Sequence, residues 1–164
     1  MWDGRRPRRL AARENTVSKP LIRLGALVVL AATQVGAALP QRQTVLIDVV
    51  GLRSTKGLIQ ACLTADPVTF PDCEKDPQAL HQTVPANGND VVAFQHVLPG
   101  RYAVALFHDE NANGRLDKVL MMPREGFGFS RDAPIRFGPP RFSAASFTLG
   151  ESQMTTSIHM RYLL

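Results

Sequence analysis

Val91-Val-Ala-Phe-Gln-His-Val-Leu-Pro-Gly-Arg-Tyr-Ala-Val-Ala-Leu-Phe-His108 consists of two apolar runs on either side of Pro99-Gly100. Proline presets φ and glycine frees the next residue, so the dipeptide marks a turn and the flanking runs, rich in Val, Phe and Tyr, read as strands. The spacing predicts an antiparallel hairpin of Val91–Val97 with Tyr102–His108. In the second strand both faces are apolar or small, with Tyr102, Val104 and Leu106 on one and Ala103, Ala105 and Phe107 on the other. A strand of that kind suits the middle of a sheet covered on both sides.

Outward from this stretch the chain continues as short β-rich runs punctuated by Gly, Pro, Asn and Asp, and nothing after Pro40 sustains helical periodicity over three turns. Further strands are expected at Thr44–Val50, Leu58–Leu63, Ser143–Leu149 and Thr155–Tyr162, the last presenting Ile158, Met160 and Tyr162 on one side. Two segments lack strand character, Asp66–Asn89 and Asp117–Arg141, and are expected as packed or functional loops. This pattern predicts an all-β fold, an immunoglobulin-like or transthyretin-like β-sandwich of about seven strands, preceded by a signal peptide.

The leader explains the charge. Of 19 basic and 14 acidic residues, seven and two lie in residues 1–38, leaving twelve of each in residues 39–164. The part expected to fold is therefore formally neutral, and the basic footprint of a nucleic-acid binder is missing from it. Residues 1–38 have a positive stretch, an apolar core from Leu24 to Ala32 and the small residues Val35-Gly36-Ala37-Ala38, the three parts of a secretory signal. Thr33 and Gln34 stop the apolar run well short of the roughly 20 residues needed to span a bilayer. Cleavage near Ala38 is expected, giving a periplasmic or secreted domain of residues 39–164 with no membrane span. Arg5-Arg6 and Arg8-Arg9 stand too far from the apolar core to make a strong twin-arginine signal. A chain begun at Val17 would have a more compact leader, and translation is expected to start there. Cys62 and Cys73 are the only cysteines, and their even number in an oxidising compartment predicts a structural disulfide.

Chemistry is concentrated just past the central strand, in His108-Asp-Glu-Asn-Ala-Asn-Gly-Arg-Leu-Asp117. Asp109, Asn111 and Asn113 alternate, Gly114 follows at the sixth loop position, Arg115 offers a backbone carbonyl and Asp117 stands ninth. That is the register in which a loop wraps Ca²⁺. The twelfth position is Leu120, where a helix–loop–helix site places a bidentate Glu, and the entering element is a strand. A closing carboxylate must then come from Glu125 or Glu110, and affinity is expected at roughly 10⁻⁴ to 10⁻³ M, the range of weak extracellular modules. The competing reading is an Asx-rich turn without metal. His108 is expected to close the strand end by hydrogen bonding to the loop that follows it. Phe127 and Phe129, with His108, Glu125 and neighbouring arginines, form either a shallow binding surface or an anchor tucked beneath the long loop.

The run Leu98–Asp117, then Pro123-Arg-Glu-Gly-Phe-Gly-Phe-Ser130, Pro139-Pro140 and Phe142, resembles a bacterial exported-protein family, domain of unknown function 2141. The resemblance covers Thr44–Tyr162 and implies an exported β-sandwich without implying a reaction; the cysteine pair is not part of that pattern. The Pro-Gly-x-Tyr turn also resembles carboxypeptidase-regulatory and transthyretin-like sandwiches. The expected role is non-enzymatic: an envelope module with a structural calcium loop, binding an unidentified ligand or envelope protein. Two alternatives stay open, a metal-assisted hydrolase built from His108, Asp109 and Glu125, and a carbohydrate-binding module using Phe127, Phe129 and Tyr102.

Overall fold

A computed structural model describes residues 39–164 of the chain; the expected signal peptide and the start at Val17 lie outside the described residues. The strands are β1 (Gln43–Val50), β2 (Leu58–Thr64), β3 (Leu80–Pro85), β4 (Val91–Val97), β5 (Gly100–Asp109), β6 (Lys118–Val119), β7 (Met122–Pro123), β8 (Gly126–Phe129), β9 (Phe147–Leu149) and β10 (Met154–His159). One sheet has the order β10-β1-β4. The other runs β3-β2-β5-β8, with β9 also pairing with β5. β1 runs parallel to β10 and antiparallel to β4, whereas every pairing in the second sheet is antiparallel.

The fold is a β-sandwich because each sheet has one strongly apolar face. Val45, Ile47 and Val49 of β1, Val92, Phe94 and Val97 of β4 and Ile158 of β10 meet Ile59, Ala61 and Leu63 of β2, Val104 and Leu106 of β5 and Leu149 of β9 in one core. Each large aliphatic side chain moved from water into such a core contributes about 1.5–3 kcal/mol. The opposite face of β5 is covered as well: Ala103 lies in a second buried cluster with Phe70, Phe127, Phe129, Ala133 and Ala145, against which Ala105 and Phe107 also pack. The two-faced pattern of Tyr102–His108 therefore does describe a central, doubly covered strand.

The expected hairpin is not formed. β4 and β5 lie in different sheets, and Pro99-Gly100 is the arch between them. Both edges of β5 are taken by β2 and β8, and facing β4 across the core buries the apolar faces of both strands against each other. A bulge assists. Val45 pairs with Phe94 but Gln43 with Val97, so β4 has one extra residue there, and His96 adopts φ +60°. The bulge turns Val97 inward despite its odd spacing from Phe94.

Strands also occur where none was expected. β3 is an edge strand with the polar middle His81-Gln82-Thr83 and a terminal proline, so it carries little apolar alternation. β8 is Gly-Phe-Gly-Phe, whose glycines read as turn signals but serve close packing. A Cβ on Gly128 would come within 2.6 Å of Ile158 Cγ2, and one on Gly126 would collide with the Tyr162 ring. The expected strand Ser143–Leu149 is shorter, since Phe142–Ala145 forms a single helical turn before β9. Cys62 of β2 and Cys73 form a disulfide with a Cα–Cα distance of 6.3 Å, fastening the segment after β2 to the sheet.

Candidate functional site

The Asp-x-Asn-x-Asn-Gly sequence leaves the end of β5 and folds back on itself through its own side chains. The buried Asp109 carboxylate accepts the Asn113 N–H at 3.0 Å and the Gly114 N–H at 2.8 Å. Asn111 Oδ1 accepts the Asn113 N–H at 3.1 Å, and Asn113 Oδ1 accepts the Arg115 N–H at 2.8 Å. These are consecutive Asx turns, and they are possible because Gly114 takes φ +76°. Asn111 and Asn113 then direct their amide nitrogens to Asp117, at 2.8 and 3.1 Å.

Glu125 completes the arrangement. Its buried carboxylate accepts the Glu110 N–H at 3.1 Å and the Asp117 N–H at 3.0 Å, so it clasps both ends of the loop. Of the two acidic residues named as closing ligands, Glu125 lies against the loop, with both carboxylate oxygens taken by backbone N–H groups. Glu110 turns away, binding Arg53 and, at 3.0 Å, the Ser54 hydroxyl. Arg53 holds the Glu110 carboxyl below the usual carboxylate range, through its hydrogen bond and its charge.

His108 is fully buried with both ring nitrogens engaged. Nε2 lies 2.7 Å from the Lys56 carbonyl, which can only accept, so Nε2 donates, and Nδ1 meets the Tyr162 hydroxyl at 2.8 Å. The histidine closes the strand end, but through Lys56 and Tyr162 and not through the loop that follows it. Tyr162 in turn accepts the Arg53 N–H at 3.1 Å and carries the Arg53 guanidinium 4.5 Å above its ring. Burial pushes the Tyr162 hydroxyl pKa up. No local motif announced this network, because its members lie on distant parts of the sequence.

The expected binding surface is corrected by burial. His108, Glu125, Phe127 and Phe129 are all enclosed, each at most 7% exposed. Phe127 and Phe129 pack on each other with centroids 5.9 Å apart, and Phe70 meets Phe129 edge-on at 5.9 Å. They anchor the long segments over β5 and offer no platform for a sugar, while Arg131, Arg136 and Arg141 stay exposed. Ser130 is likewise structural: buried, it donates to the Ala145 carbonyl at 2.7 Å and accepts the Val104 N–H at 2.9 Å. An open cleft of about 630 Å³ lies elsewhere, lined by Pro67, Phe70, Pro139, Phe142, Arg101 and Arg141 among others.

A bacterial family described as an uncharacterized protein conserved in bacteria, domain of unknown function 2141, matches residues 47–157. The chain belongs to this family. The match covers all of the loop, its Glu125 clasp and the second core cluster, whereas Val45, Ile158 and Met160 of the main core and Tyr162 lie outside it. No curated protein and no solved structure matches the chain. The family description names no enzymatic activity.

Proposed function

We propose that the chain is an exported, non-enzymatic β-sandwich module of the bacterial envelope, whose loop Asp109–Asp117 takes up Ca²⁺ as a structural ion. The observation that carries this reading is the convergence of Asp109, Asn111, Asn113 and Asp117 onto one another while Glu125 clasps the backbone at both ends of the loop. Buried carboxylates are costly unless paired or bound to metal. Asp109 and Glu125 are buried, and among the described residues no Lys, Arg or His side chain forms an ion pair with either.

No three His, Cys, Asp or Glu side chains among the described residues are gathered as a metal-binding group. The shell would therefore draw on the Asn oxygens, each with a second lone pair, and on the Arg115 carbonyl, beside Asp109 and Asp117. Such oxygen donors suit calcium better than zinc. The export half of the reading rests on the signal-like composition of residues 1–38. For the bound ligand or envelope partner, the cleft beside Arg101 and Arg141 offers an open surface.

The test is the melting temperature with calcium, with magnesium and with chelator, for the wild type and for Asp109→Ala. A ligand that binds only the folded state raises stability by mass action, so a calcium-specific rise of several degrees at millimolar ion, lost in the variant, is expected. No shift in the wild type makes the loop a metal-free Asx turn.

A further inference from the structure

Beyond the calcium loop, β6 and β7 pair as a hairpin with Lys118 opposite Pro123 and Val119 opposite Met122. Its two turn residues, Leu120 and Met121, have φ +48° and +70°. Two-residue hairpin turns with both φ positive are normally built of Asn-Gly or similar pairs, because side chains branched or extended beyond Cβ resist that conformation. Here a leucine and a methionine occupy it. They are 90% and 92% exposed, with Val119 and Met122 at 46% and 45% beside them. Four consecutive apolar side chains are thus held away from both cores on a strained turn, so neither local propensity nor packing accounts for them.

The exposed charges around this tip are all positive. Arg115, Lys118 and Arg124 are exposed, and none of them forms an ion pair among the described residues. The nearby acids are engaged elsewhere: Asp117 holds the Asn111 and Asn113 amides, Glu125 is buried, and Glu110 is bound to Arg53. The neck is closed by the Arg124 N–H donating to the Asp117 carbonyl at 2.9 Å, so tip and cations are held on one short projection. A flexible aliphatic tip ringed by cations complements a surface that is apolar within and anionic at its rim.

We infer that this hairpin docks the protein on an anionic lipid surface, with Leu120 and Met121 entering the boundary between headgroups and acyl chains and Arg115, Lys118 and Arg124 meeting lipid phosphates. The inference rests on the envelope placement proposed above and names the partner; it does not need the calcium ion. Insertion of two aliphatic side chains alone gives marginal binding, and the cations supply the second attraction that makes it measurable.

The experiment is co-sedimentation of the protein, as recovered from cells expressing the full chain, with phosphatidylcholine vesicles lacking or containing phosphatidylglycerol, in calcium and in chelator. Wild-type binding is expected to rise roughly tenfold or more with the anionic lipid and to fall with salt. The double variant Leu120→Asn/Met121→Gly should lose that binding while melting no lower than wild type, since Asn-Gly fits the turn. Lys118→Glu/Arg124→Glu should abolish the preference for phosphatidylglycerol. A wild type that ignores anionic vesicles overturns the inference and leaves the tip to a protein partner; equal binding by the Asn-Gly variant overturns it too. Melting the same samples with calcium reads the loop separately, so either failure is distinguishable from the other.

Discussion

The hydroxyl of Tyr162, two residues from the end of the chain, hydrogen-bonds Nδ1 of the fully buried His108 at 2.8 Å, on the side of the ring opposite the Lys56 carbonyl. Through this bond the segment after β10 is fastened to the end of the central strand, one residue before the loop begins. Backbone bonds between Phe127 and Arg161, at 3.0 and 2.9 Å, add a second fastening that joins β8 to the same segment.

Tyr162→Phe removes the hydroxyl and leaves a buried imidazole nitrogen without a partner. An unsatisfied buried polar group costs about 1–3 kcal/mol. The variant is expected to unfold at lower urea by that amount, with an unchanged slope. A midpoint equal to wild type would mean that water replaces the hydroxyl.

Stability should fall in acid through Glu110. Its hydrogen bond to Arg53, with the Arg53 charge, lowers its folded pKa. The stabilisation is therefore complete above the unfolded carboxylate pKa and is lost as pH falls through the lower folded value. Urea midpoints from neutral pH down through the carboxylate range should show a steeper decline for wild type than for Glu110→Gln. Parallel curves would assign the acid sensitivity to other carboxylates. Asp132 works in the same direction: burial raises its pKa, yet bonds from the His159 N–H and ring outweigh that and leave it lowered.

Gly126→Ala places a methyl group where the Tyr162 ring lies. The ring can yield only by giving up its bond to His108 or by displacing β8. A loss of about 1–3 kcal/mol is expected, the usual penalty for overpacking a well-filled interior. Combining it with Tyr162→Phe should cost less than the sum of the two, which a double-mutant cycle would reveal.

The elements that could be read from sequence were those whose signal is local. Val91–Val97 and the two-faced run of β5 carry their apolar pattern within a few residues, and the alternating oxygens from Asp109 to Asp117 sit on one contiguous loop. Partnership between strands was not legible, because Pro99-Gly100 serves a hairpin and an arch between sheets equally well. Only the competition for the edges of β5 decides which is formed. β3 and β8 were hidden for opposite reasons, one too polar for an edge strand to be noticed, the other glycine-rich because Tyr162 and Ile158 press on it. The Arg53–Glu110–Tyr162–His108 network had no sequence signal at all, since each contact joins residues more than fifty positions apart.

The disulfide was legible from cysteine count alone, and its effect follows from the chain it closes. Cys62 lies on β2, beside β3 and β5, while Cys73 is buried in the segment that carries Phe70 into the second cluster. Bridging residues eleven positions apart restricts the unfolded chain by about 3 kcal/mol on the loop-entropy account. Cys62→Ser/Cys73→Ser should lower the melting temperature accordingly, and reductant should do the same to wild type and nothing to the variant. Because the bridge fastens only the cover over the outer face of β5, near-ultraviolet signals from Phe70, Phe129 and Phe142 should weaken before the main core unfolds. Loss of all signals in one step would instead show that the two cores unfold as a unit.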